Sequence, residues 1–322
     1  MTLRVIAVSL LVGALALASC QRADSSAKKG AAAAVSTDDA KWRAGLDEWK
    51  KQRLVSIGGE DGWVTLVGRI WLSAGANHLG SDPKSELALP ADRAPAHAGT
   101  IFLEGDKLRI EVSDGVDLTS DGKPVKSMSF ADDRDQKPTM FALGSLRFHV
   151  IKRQDRWALR VKDRESPARK TFAGLTYYPV DPSLRVLARL VAAPAGKTAP
   201  IVNVLGQTEQ MPTPGTLHFA IAGAEYTLDA VREPGEDELF ILFRDQTAGQ
   251  GTYPSGRFLY TPLPAADGTV ELDFNRAFTP PCGFTNYATC PLPPKQNLLS
   301  VKIEAGEKSA AHHREKSAAH DE

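Results

Sequence analysis

From Gly62 onward the chain sustains no helical rhythm. Apolar residues come in short runs, each ended by Gly, Pro, Asp or Asn, as in WVTLVGRIWL, ELALP, GTIFLEG, KLRIEV, MFALGSLRFHVIKR and WALRVKD. Strands this short with turns this frequent predict an antiparallel sandwich or barrel. SDGKPV adds an Asp-Gly pair, which favours a tight hairpin. A second β-rich region begins near Ser166. There Leu217, Phe219 and Ile221 share one face, as do Tyr226, Leu228 and Ala230, and again Val270, Leu272 and Phe274. ELFILFRD is apolar on both faces and predicts a central strand covered on both sides.

Only STDDAKWRAGLDEWKKQRLV breaks this rule near the start of the ordered chain. Asp38 and Asp39 suit the positive end of a helix and Lys50, Lys51 and Arg53 its negative end. Trp42, Leu46, Trp49 and Arg53 fall at helical spacing, which predicts an amphipathic helix over 38–56. The fold expected is therefore mainly β: a helix, an antiparallel sandwich or barrel over 57–165, and a second antiparallel barrel or sandwich over 166–306. The tail from 307 to 322 repeats Glu-Lys-Ser-Ala-Ala-His, at 307–312 and 315–320, and reads as disordered; its histidines, His312, His313 and His320, could bind metal adventitiously. Lys+Arg and Asp+Glu are both 39, so there is no basic bias of the kind nucleic-acid binders show.

The first twenty residues, MTLRVIAVSLLVGALALASC, read as an address. Arg4 supplies a positive start, Val5 to Leu17 an apolar stretch too short to span a bilayer, and Ala18 and Ser19 precede Cys20. Leu17-Ala18-Ser19-Cys20 resembles the bacterial lipobox. That resemblance implies cleavage after residue 19 and a diacylglycerol on Cys20, with residues 20–37 as a flexible tether. Gln21, rather than Asp, after the cysteine resembles outer-membrane sorting. The implied place is the cell envelope, lipid-anchored and facing the periplasm.

The chemistry-bearing residues cluster late. Arg257 opens the strand GRFLY, and Asp273 and Asn275 follow across the loop TPLPAADGT. Asp245, Thr247 and Tyr253 lie just upstream. Read as a pocket, Arg257 would bind an anion, Asp273 and Asn275 would orient it, and Tyr253 would form a wall. Read as structure, Arg257 and Asp273 would be an ion pair, and Asp245 and Thr247 would cap a turn. DFNRAFTPPCGFTNYATCPLPPKQN follows, with Pro280, Pro281, Pro291, Pro293 and Pro294. Each proline fixes φ and removes a donor, so neither helix nor central strand can form, and an ordered strap is expected. Cys282 and Cys290 within it can pair in an oxidising envelope or stay as buried thiols. Their spacing matches no zinc pattern, and no cofactor or metal is expected. No Gly-x-Ser-x-Gly elbow, Walker loop or His-Glu-x-x-His is present.

Two resemblances bear on this. HLGSDPKSELALP, RAPAHAGTIFL and DLTSDGKPV resemble, in order, elements of the forkhead-associated sandwich. Ser81 stands where that family's phosphate-binding arginine would be, Ala94-Pro95-Ala96-His97 where its Ser-x-x-His would be, and Asp121 where its asparagine would be. The later segment resembles the bacterial and archaeal family called domain of unknown function 1684. Its elements fall at Asp245 and Thr247, Thr252 and Tyr253, Gly256 and Arg257, Asp273 to Asn275, Cys282, Cys290 and Pro291, and Ala305 to Glu307. The likeness runs over about residues 40 to 308 and implies fold and grouping, not a reaction. The leading expectation is a non-catalytic binding or assembly module for a small anionic or envelope ligand. The alternatives are a hydrolase using Asp245 or Asp273 with Arg257, and a purely structural scaffold.

Overall fold

The structure is a computed structural model and describes residues 39–309. The signal segment, Cys20, the tether through residue 37 and the tail histidines lie outside the described residues. Asp39–Gly58 is one α-helix. Trp42, Leu46, Arg53 and Ile57 are its buried residues, and they follow one helical face. Among the described residues no helix is long and apolar enough to cross a membrane.

The first β-body is a two-sheet sandwich. One sheet has six strands, ordered Leu66–Trp71, Arg156–Asp163, Leu146–Arg153, Phe141–Leu143, Thr119–Ser120, Lys123–Pro124. The other has five, ordered Leu87–Ala88, Gly75–Gly80, Gly99–Glu104, Lys107–Val112, Ser127–Phe130. Pairing is antiparallel except between Gly75–Gly80 and Leu87–Ala88. The Asp121-Gly122 turn has both residues at positive φ, +48° and +73°, which closes its hairpin as the sequence predicts. Alternate residues face inward, so Leu79, Ile101, Ile110, Phe148, Val150 and Leu159 form a single core. Burying each such side chain contributes about 2 kcal/mol.

The second β-body packs a four-stranded sheet, ordered Ala224–Ala230, Gly215–Ile221, Arg185–Ala192, Thr269–Asp273, against the pair Glu238–Phe243 and Arg257–Pro262. No sheet closes on itself, so this body is a sandwich and not a barrel. Leu239, Ile241 and Phe243 enter a core with Leu217, Phe219 and Leu272. Phe240 and Leu242, on the opposite face of the same strand, enter another with Ile201, Phe258 and Phe278. The strand is thus covered on both sides, as its unbroken apolar run predicts.

The proline-rich segment is ordered without being a strand, and it lies between the two bodies. Thr285 Oγ1 donates to the Leu66 carbonyl at 2.9 Å, and Arg69 donates to the carbonyls of Tyr287 and Ala288 at 3.2 and 3.1 Å. On its other side, Val204 N donates to the Cys290 carbonyl at 2.9 Å and Leu292 N to the Val202 carbonyl at 2.7 Å. Residues 307–309, expected to belong to a disordered tail, are held in the fold. Glu307 is fully buried, and the amides of Glu307, Lys308 and Ser309 bond to the carbonyls of Ala277, Thr176 and Gly251.

Candidate functional site

Arg257 is the largest fully buried side chain. Its strand starts opposite Phe243, so the guanidinium points past the end of the partner strand toward Asp245. Nη2 donates to Asp245 Oδ1 at 3.1 Å and to the Ile303 carbonyl at 2.9 Å, and Nη1 donates to the Ala305 carbonyl. Asp245 Oδ2 accepts from Ile303 N at 2.7 Å and from Thr247 Oγ1 at 2.9 Å, and Thr247 Oγ1 meets Thr252 Oγ1 at 2.9 Å. Burial pulls the Arg257 pKa down and the Asp245 carboxylate pulls it back; a guanidinium keeps its charge in either case. The glycine before it is forced: Gly256 sits at φ +105°, and a Cβ there would lie 2.5 Å from the Phe243 carbonyl.

The expected pairing of Arg257 with Asp273 does not occur. Asp273 Oδ2 instead accepts from the Trp42 indole at 2.7 Å, which brings in the helix, and Arg276 lies 3.6 Å away. Asp273 Oδ1 accepts from the backbone and side-chain nitrogens of Asn275 at 3.1 and 2.9 Å. The reason is local. The strand stops at Asp273, which caps the 3-10 turn Phe274–Arg276, so strand alternation does not carry through to Asn275. Asn275 then clamps the loop at Asp181, accepting from its N at 2.8 Å and donating to its carbonyl at 2.9 Å. On the same strand, Glu271 accepts from Arg185 at 2.6 Å.

Tyr253 also stands apart from Arg257. Its hydroxyl donates to the Cys282 carbonyl at 3.2 Å, and burial raises its pKa. Cys282 and Cys290 are free thiols side by side, with Cys282 N donating to Cys290 Sγ at 3.1 Å. The thiol hydrogen bond between them lowers the Cys282 pKa and raises that of Cys290.

A second buried charge pair was not foreseen as a site. Arg53 Nε, on the helix, donates to Glu307 Oε2 at 3.0 Å, and its guanidinium lies over Phe278 at 4.4 Å and Phe284 at 5.8 Å. Burial raises the Glu307 pKa, and Arg53 draws it back. Glu307 Oε1, Thr279 Oγ1 and Tyr177 Oη are buried without partners. The sequence held a signal for this pair, since an arginine on an otherwise apolar helical stripe needs a buried partner. Gly306 precedes Glu307 for a steric reason: it sits at φ +76°, and a Cβ there would lie 2.3 Å from the Ala277 carbonyl.

The six proposed ligand residues thus fall into three places: Asp245, Thr247 and Arg257 in one buried network, Asp273 and Asn275 in a second, and Tyr253 against the strap. Elsewhere, a depression of about 300 Å³ on the first sandwich is lined by Asp106, Phe130, Asp132 and Arg134. Its one cation is taken up within the lining: Arg134 bonds Asp132 at 2.9 Å and Asp106 at 3.3 Å.

Residues 170–308 match the family described as "Protein of unknown function (DUF1684)". An uncharacterised protein from Haloarcula marismortui, solved by solution NMR, is 32% identical over 46% of this chain and 83% of its own, with a TM-score of 0.39. The forkhead-associated domain of FhaA, complexed with an intracellular domain, is 17% identical over 28% of this chain and 84% of its own, with a TM-score of 0.21. A structure from work on phosphothreonine-dependent forkhead-associated interactions gives 17%, 28%, 79% and 0.21 for the same quantities. No curated protein matches. Aspartate 245, arginine 257, aspartate 273 and glutamate 307, the charged residues of the motifs described above, all lie within the matched segment, and through that segment the chain belongs to the DUF1684 family.

Proposed function

We propose that this chain is a lipid-anchored protein of the bacterial cell envelope, held by an acylated Cys20 at the outer membrane and facing the periplasm. Its folded part works as a non-catalytic binding or assembly module for a small anionic or envelope ligand. The observation that carries the non-catalytic half of this reading is the state of Arg257. Its side chain is 0% exposed and its charge is met by Asp245, itself 2% exposed, at 3.1 Å. A general acid or base must come within hydrogen-bond reach of a substrate proton, and Asp245 is occupied on both oxygens by protein donors. The charged motif residues support a rigid body, which leaves ligand contact to its surfaces.

The test has two parts. Mass spectrometry of the protein extracted from bacterial membranes should find a chain beginning at Cys20 with acyl groups attached; a chain that keeps residues 1–19 without lipid would contradict the anchor. The purified mature chain should give no turnover above blank with chromogenic acyl, phosphoryl and glycosyl esters. Turnover abolished by Asp245→Asn, in a variant that melts as the parent does, would overturn the non-catalytic reading.

A further inference from the structure

The outer face of the six-stranded sheet carries an unusual run of like charge. Register places Arg69 opposite Arg160, Arg160 opposite His149, and Arg153 opposite Arg156. Like charges directly opposite each other destabilise a sheet unless a counter-charge joins them. Arg156 is exposed and lies over the Trp71 ring at 4.0 Å. Arg153 bonds Asp133 at 2.7 Å and Thr289 Oγ1 at 3.1 Å. Arg69 donates to the strap carbonyls of Tyr287 and Ala288 and lies over the Trp71 ring at 5.7 Å.

Arg160, at the centre, is not matched. Among the described residues none gives it a hydrogen bond or a carboxylate of its own. It lies over the Trp63 ring at 5.5 Å, and its Nε is buried without a partner. Beside it His149 Nδ1 is also buried without a partner. Burial pulls the Arg160 pKa down to about 10, with Arg153 adding to the effect, and burial and Arg160 pull His149 to about 4, so the imidazole is neutral near pH 7. Arg153 and Arg160 therefore share one carboxylate, Asp133, and among the described residues no carboxylate pairs with Arg69. The strap lies on this seam, with Cys290 close enough to act on Arg160.

We propose that the seam between this sheet face and the proline-rich strap binds a small doubly charged oxyanion of the phosphate class, held by Arg160 and Arg69 with His149 beside it. Two unmatched positive charges call for a dianion, and guanidinium forks fit phosphate oxygens two at a time. Partial burial strengthens the attraction relative to open water. The inference rests on the binding-module reading and names its ligand and its place.

The experiment uses the full mature chain and inorganic phosphate, with chloride at matched ionic strength as the control. Phosphate should raise the melting temperature of the parent and give a saturable calorimetric isotherm. Arg160→Met should weaken that binding about tenfold or more. It should melt in phosphate-free buffer no lower than the parent, because it removes a repelling charge while keeping the side-chain stem, so loss of site and loss of fold are separable. Arg156→Met, on the exposed part of the same face, should bind within about twofold of the parent. Sedimentation with phosphatidic acid vesicles separates the sources: Arg160-dependent co-sedimentation assigns a lipid headgroup, and phosphate binding without it assigns a soluble phosphate monoester. No response beyond chloride, or an equal response in Arg160→Met, overturns the proposal. Binding of a different envelope component, untouched by Arg160→Met, would remove this site and leave the binding-module reading standing, whereas Asp245-dependent turnover would remove that reading.

Discussion

His149 lies among cations in a half-buried row, and its protonation is where the chain's response to acid becomes visible. Arg160, Arg153 and Lys162 push its pKa down after burial does, and Asp133 pushes it up, with a net value of about 4. An unfolded histidine titrates near 6.5. Between pH 6.5 and about 4 the unfolded chain therefore binds a proton that the folded chain refuses. Linkage gives the sign: stability is full above pH 6.5 and falls as pH drops through that window, by about 3 kcal/mol for this group. Urea unfolding of the parent and His149→Gln across pH 4–7 should show a steeper loss in the parent. Parallel curves would contradict the assignment.

The helix Asp39–Gly58 is the element whose role the sequence half disclosed. Its apolar stripe was legible at Trp42, Leu46, Trp49 and Arg53, because helical spacing is a local property. Its partners were not, because they lie more than 200 residues away, at Asp273, Thr279 and Glu307. Arg53→Met keeps much of the packing on Phe278 but leaves the Glu307 carboxylate buried alone, which should cost about 3–5 kcal/mol. Glu307→Gln added to it should recover most of that loss, since no unpaired charge then remains. A double-mutant cycle by chemical denaturation checks this, and additive losses would show that the two groups are not coupled. The strap was legible as an ordered irregular segment from its prolines, yet its position between the two bodies was not, since only distant groups such as Leu66, Arg69 and Val202 define it.

At the scale of the whole molecule, strand content could be read from the short apolar runs and the Asp-Gly turn, and the sandwich of the first body from its resemblance to the forkhead-associated fold. The choice of sandwich over barrel in the second body could not, because strand order depends on pairings such as Arg185–Ala192 with Thr269–Asp273, far apart in sequence. The pocket expected at Arg257 failed for two physical reasons. Asp273 ends its strand with a cap, which turns Asn275 off the expected face, and the backbone returns at Ile303 and Ala305 to take up the guanidinium. Because Asp273 and Glu307 take partners from the helix, the family-matched segment is incomplete alone. A fragment of residues 170–309 should unfold at lower denaturant than the same fragment fused to residues 38–60. Equal midpoints would show that the helix is not part of that body.

The claim on which the rest depends is that Asp245 and Arg257 hold the second body together and do not meet a ligand. Asp245→Asn is nearly isosteric and leaves Arg257 charged, buried and without its carboxylate, so urea unfolding should show a loss of about 3–5 kcal/mol in the mature chain. A variant that unfolds at the parent's midpoint while losing an activity or a bound ligand would contradict it.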